Sequence, residues 1–139
     1  MLAEAQANLE GVVTTHNNHD AAGFAACFTP DGVVRIVPTG DAVQGREQIE
    51  GFLAMKFAAF PDWQVEDRGV DLGSGCVWAQ WAITGTHAGE YMGHAATHRG
   101  FELIGCSRFT FASDGLIAEE ALYFDPATML RQLGLAPEA

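Results

Sequence analysis

Two strand-like runs, Phe101 to Phe111 and Leu116 to Phe124, flank Ala112-Ser113-Asp114-Gly115. Asp-Gly between two such runs is a strong hairpin signal, because the tight turn needs residues that accept positive φ. Upstream, Cys76 to Thr86 is a long apolar run suited to a central strand buried on both faces. Downstream, Asp125-Pro126 predicts a helix start, with Asp as cap and Pro at the first helical position. A chain that gathers its strands late must lay its earlier helices on the resulting sheet.

Those helices are legible. Leu2, Ala5, Leu9, Val12 and Val13 recur at three- and four-residue spacing and predict an amphipathic helix from Leu2 to His19. Asp20 caps a short helix from Ala21 to Phe28, and the two helices together form a lid. Val33 to Val37 is β-branched enough for a strand, and the segment around Thr39-Gly40-Asp41 reads as a loop. After Gly45, Ile49, Phe52, Leu53, Phe57 and Phe60 share one helical face until Pro61 stops the helix. Trp63 to Asp71 alternates loosely around Trp63, Val65 and Val70. Early helices and late strands imply an α+β layering with a mainly antiparallel sheet, and the length fits one domain over residues 1–139.

Eighteen acidic residues against seven basic ones give a net charge of -11, and the basic residues form no run or stripe. Such a chain repels phosphate backbones and anionic lipid, so nucleic acid and membrane surfaces are poor partners. Cys27, Cys76 and Cys106 are an odd number without a Cys-x-x-Cys pair, which points to a reducing compartment. With no basic segment leading into an apolar run at the N-terminus, the expected location is the cytoplasm.

No Gly-rich phosphate loop, Gly-x-Ser-x-Gly elbow or His-Glu-x-x-His occurs. His94 and His98 flank Ala95-Ala96-Thr97 in a Gly-bounded stretch that reads as loop, so no metal site is expected. His16 and His19 read as C-terminal helix residues that interact with the last carbonyls. His87 closes the Cys76–Thr86 run, either at a pocket mouth or as a turn residue bonded to nearby backbone.

Gly85-Thr86-His87-Ala88-Gly89-Glu90, Gly93, Ala96-Thr97, the Asp114-Gly115 hairpin and Gln132-Leu133-Gly134-Leu135 carry a recurring wording. Asn18-His19-Asp20, Pro30-Asp31-Gly32, Gly45-Arg46-Glu47-x-Ile49 and Ala59-Phe60-Pro61-Asp62 extend it towards the N-terminus. The wording resembles the SnoaL-like polyketide and ester cyclases of the nuclear transport factor 2-like superfamily. The resemblance implies a cone-shaped fold, with helices packed on the concave face of a curved sheet around a pocket for one small hydrophobic molecule. It also implies a homodimer through the outer face of the sheet and no cofactor. The histidine and aspartate proposed as catalysts in those cyclases fall at Arg108 and Leu122 when counted from the Asp114-Gly115 turn. The general base of the related ketosteroid isomerases falls at Val37, in Val37-Pro38-Thr39-Gly40.

Other residues must therefore carry any chemistry. Placing Arg108 and Glu120 on one face of the hairpin makes them neighbours, either a substrate clamp with its base or a surface ion pair. Asp125 and His87 complete the catalytic candidates, Asp125 being also the expected helix cap. Phe52, Met55, Trp63, Trp81, Met92 and Tyr123 are the candidates for lining an apolar pocket. Two functions are consistent with this set. One is a SnoaL-like enzyme of cyclase, isomerase or lyase type, running acid/base chemistry on a hydrophobic carbonyl compound. The other is a non-catalytic binding or sensor domain, and the two differ in whether an ionisable group with a perturbed pKa is buried in the pocket.

Overall fold

The computed structural model describes residues 1–135. Helix α1 spans Ala3–Asn17, and α2 spans Ala21–Ala26 with the Asp20 carboxylate accepting from Gly23 N at 2.9 Å. Strand β1 (Phe28–Ile36), strand β2 (Asp41–Gln44) and helix α3 (Arg46–Ala59) follow. The chain then runs through β3 (Gln64–Gly73), β4 (Cys76–Thr86), β5 (Gly100–Phe111) and β6 (Ile117–Tyr123) to α4 (Pro126–Leu133). The result is the expected mixed α+β fold.

One sheet holds all six strands in the order β2-β1-β6-β5-β4-β3. Only the β1–β6 pairing is parallel, so the sheet is mainly antiparallel. Strand β2 lies where the sequence reads as loop. Its four residues hold one half-buried side chain, Val43, and such a short polar edge strand gives no hydrophobic alternation to detect.

Strand β4 is not the central strand that its apolar run predicts. It lies second from an edge, with Trp81 and Ile83 turned inward while Gln80 and Thr84 are exposed. Its other face carries the half-buried Trp78 and the buried Ala82, so the run reads as apolar on both faces although Gln80 and Thr84 interrupt it. Strand β3, outside it, is exposed along nearly its whole length, which explains its loose alternation.

Two apolar clusters hold the helices to the sheet. Val12, Phe24, Phe28, Val34, Ile49, Leu53, Phe109 and Ile117 form the first, beneath α1, α2 and α3. The second joins the end of α3 to α4 through Phe60, Trp63, Phe101, Leu103, Met129 and Leu133. Arg46 fastens the start of α3 to β1, its guanidinium donating twice to Phe28 O at 3.0 and 2.6 Å. Asp125 caps α4 by accepting from Ala127 N and Thr128 Oγ1, and Gly134 at φ 76° closes that helix in the left-handed region.

Candidate functional site

Between the helices and the inner face of the sheet the cavity has two lobes, of about 240 and 80 Å³. The larger lies under α1 against β3 and β4, with Leu9, Val13, Val65 and Ala79 among its walls. The smaller, inner lobe lies between α3 and the β5–β6 hairpin, lined by Phe52, Leu53, Lys56, Trp63, Tyr91 and Phe124 among others. His16, Trp81, Ile83, Glu120 and Leu122 belong to both walls, so the polar chemistry sits at the junction.

Glu120 is the centre of that junction. It pairs with Phe109 across the hairpin, and both side chains face inward. Only 5% of the residue is exposed, and burial raises its carboxyl to about 7, against the pull of a hydrogen bond from Ser107. Ser107 Oγ donates to Glu120 Oε2 at 2.8 Å, and the same oxygen accepts from Trp81 Nε1 at 2.8 Å. The indole thus orients the hydroxyl, and the hydroxyl fixes one carboxyl oxygen. Gly105 makes this possible: a Cβ there would lie 2.6 Å from Trp81 Cη2 and 2.7 Å from Tyr123 O, so only glycine lets the indole cross β5.

His16 faces the same junction from α1. Trp63 Nε1 donates to His16 Nδ1 at 3.1 Å. An indole N–H can only donate, so Nδ1 is the acceptor and the ring proton resides on Nε2. Burial, with nearby His19 adding like-charge repulsion, pushes the imidazole down to about 4, so it is neutral at pH 7. The junction thus offers one carboxyl able to take or give a proton near neutrality and one neutral N–H donor.

The expected partnership of Arg108 with Glu120 is overturned by the register. Arg108 pairs with Ala121, one residue out of step from the Phe109–Glu120 pair, so the two side chains point to opposite faces. Arg108 lies on the outer face and lines neither lobe. Counting from the turn assumed an unbroken ladder, whereas the register shifts between Thr110 and Phe111. Leu122, the other position reached by that count, does face the cavity.

His87 and Asp125 also lie away from the junction. His87 is fully buried, its Nδ1 accepting from Thr97 N at 3.2 Å and lying 3.0 Å from Thr97 Oγ1, which pins the loop before β5. Asp125 is an exposed helix cap with Arg131 Nη2 at 3.8 Å. Of the pocket candidates, Phe52, Trp63 and Trp81 line the cavity. Met55, Met92 and Tyr123 are exposed and line neither lobe; Tyr123 turns to the outer face, its ring 5.5 Å from that of Trp78. His94 and His98 are exposed loop residues, and among the described residues no group of three His, Cys, Asp or Glu could hold a metal ion.

A family model described as SnoaL-like polyketide cyclase matches residues 6–133. The chain belongs to the SnoaL-like polyketide cyclase family. IdmH from Streptomyces antibioticus, named as a candidate polyketide cyclase, is similar at 27% identity and TM-score 0.76, over 94% of this chain and 98% of that one. AclR from Streptomyces galilaeus, a candidate hydroxylase, shares the fold at 24% identity and TM-score 0.82, over 100% and 90% of the two chains. A Catenulispora acidiphila protein with a ketosteroid isomerase-like fold, solved in complex with trimethylamine, matches at 18% identity and TM-score 0.78, over 93% of each chain. No curated protein matches the chain significantly. No helix among the described residues is long and apolar enough to cross a membrane.

In this SnoaL-like chain, His16, Lys56 and Tyr91 join the cavity wall, and Ser107 supports Glu120 from behind it, without having been singled out as site residues. For His16 a signal existed: it continues the Leu9, Val12, Val13 stripe by one turn, so it lies on the buried face of α1 rather than at a solvated end.

Proposed function

We propose that this SnoaL-like protein is a small-molecule enzyme that transfers protons to and from carbon beside a carbonyl group in a hydrophobic substrate, without a cofactor. Glu120 carries the reading: it is an ionisable group buried at the cavity junction with its carboxyl raised to about 7. Apolar binding alone needs no such group, whereas a base for an α-proton works best with a pKa near the operating pH.

The shared position of Glu120 and His16 at the junction supports one assignment of roles. The substrate carbonyl oxygen accepts from His16 Nε2–H, which stabilises the negative charge that develops on that oxygen as the α-carbon loses its proton. Ionised Glu120 takes the α-proton, forming an enolate, and returns it from the protonated carboxyl to carbon or to a new alkoxide. Ring closure, isomerisation and elimination all begin with that abstraction, and the family membership favours closure. The protein works in the cytoplasm, as a dimer through the outer face of the sheet, where Trp78, Ile104 and Tyr123 lie and the last two are well exposed.

The test needs no native substrate. α-Proton exchange of 2-tetralone in D₂O, followed by NMR, is predicted to be accelerated by the parent protein and to fall by about a hundredfold or more in Glu120→Gln. Exchange in the parent at the buffer rate, with 2-tetralone bound, would leave the binding-domain reading in its place.

A further inference from the structure

We propose that the inner lobe contains an anion-binding subsite, made by the Lys56 ammonium and the Tyr91 hydroxyl, which selects ligands whose apolar body ends in a carboxylate. The proposal rests on the cavity being a ligand site, and is independent of proton transfer at Glu120.

Lys56 is the only lysine of the chain, and it lines the inner lobe from α3. The three ion pairs among the described residues use Arg35, Arg68 and Arg131, so Lys56 has no carboxylate partner there. Its Nζ instead donates to Tyr91 Oη at 3.1 Å and lies 5.0 and 4.9 Å from the ring centroids of Phe52 and Tyr91. Aromatic faces hold a cation in place, but leave its charge unneutralised. A half-buried ammonium in an apolar lobe is most favourable when an anion completes it.

Tyr91 supplies the second donor. Its oxygen accepts from Lys56, and no acceptor among the described residues takes its own O–H. The ring is held rigidly: Tyr91 is 6% exposed, packs edge-on against Phe60 at 5.1 Å, and exchanges backbone bonds with His94 at 3.0 and 2.9 Å. Ammonium and phenol thus converge from one wall of the lobe, and a carboxylate has two oxygens to receive them. With a net charge of -11, the rest of the molecule does not attract anions, so the selection is local. A ligand held by its carboxylate in this lobe would reach with its apolar body towards the Glu120 junction.

The experiment compares 2-naphthoate with neutral, isosteric 2-naphthamide by calorimetry at pH 6, where Glu120 is mainly protonated. The parent should bind naphthoate about tenfold or more tightly than naphthamide, the range of a charge-assisted hydrogen bond. Lys56→Met should abolish that preference while changing naphthamide affinity less than about threefold, and Lys56→Arg should retain most of it. Tyr91→Phe should weaken naphthoate selectively. No preference in the parent, or equal losses for both probes in Lys56→Met and Tyr91→Phe, would overturn the subsite. Naphthamide binding and tetralone exchange would survive that outcome, so the subsite can fail while the proton-transfer reading stands.

Discussion

Ser107 donates its hydroxyl to Glu120 Oε2 across 2.8 Å, inside the cavity wall and with the Trp81 indole behind it. This bond favours the charged carboxylate and restrains a pKa that burial alone would raise further. Ser107→Ala should therefore move the midpoint of the pH profile for tetralone exchange to higher pH. An unmoved profile would mean that the hydroxyl does not sense the charge on Glu120.

Folding stability should carry the signature of Glu120. Its folded pKa lies above the ordinary 4.5, so its contribution is fully present below about pH 4.5 and is lost as pH rises through about 7. Glu120→Gln keeps an acceptor for Ser107 but has no charge to bury. The stability of the variant relative to the parent should grow between pH 5 and pH 8, by at most on the order of 3 kcal/mol. Urea unfolding at several pH values measures it; a difference that is flat with pH would contradict a raised carboxyl.

His16 works with the opposite sign. Its folded pKa lies below the ordinary 6.5, so its contribution is present above about pH 6.5 and is lost as pH falls through about 4. His16→Phe should remove this acid-side loss. Because it also removes the Nε2–H donor, tetralone exchange at pH 7 should fall by roughly a hundredfold, with 2-tetralone affinity changed only a few-fold. A variant that exchanges like the parent would remove His16 from the chemistry.

The architecture was legible in the sequence because it is written in long periodic segments: the helical stripe of Ile49, Leu53 and Phe57, the Asp114-Gly115 turn and the Asp125-Pro126 cap all produce the elements they predict. The site was legible only in part. Glu120 and Trp81 reach the cavity as expected, but Arg108 does not, because facing in a hairpin depends on register and one bulge near Thr110 reverses every side chain before it. His16 was legible by half. Its place on the apolar stripe of α1 could be read, but its tautomer is set by Trp63, 47 residues away, and no local pattern encodes that contact. Met55 and Met92 are apolar side chains left on the surface, which composition cannot distinguish from a pocket wall.

The most direct test of the proton-transfer account is a titration of the Glu120 carboxyl itself. Carbon-13 NMR of protein labelled at the glutamate side-chain carboxyl, with the Glu120 resonance assigned by its absence in Glu120→Gln, would follow the group from pH 4 to pH 9. The expected midpoint is near 7, displaced upward in Ser107→Ala. A midpoint near 4.5, in the ordinary range for a solvated glutamate, would mean that the carboxyl is a plain anion at neutral pH, and would contradict its role as the proton carrier of the site.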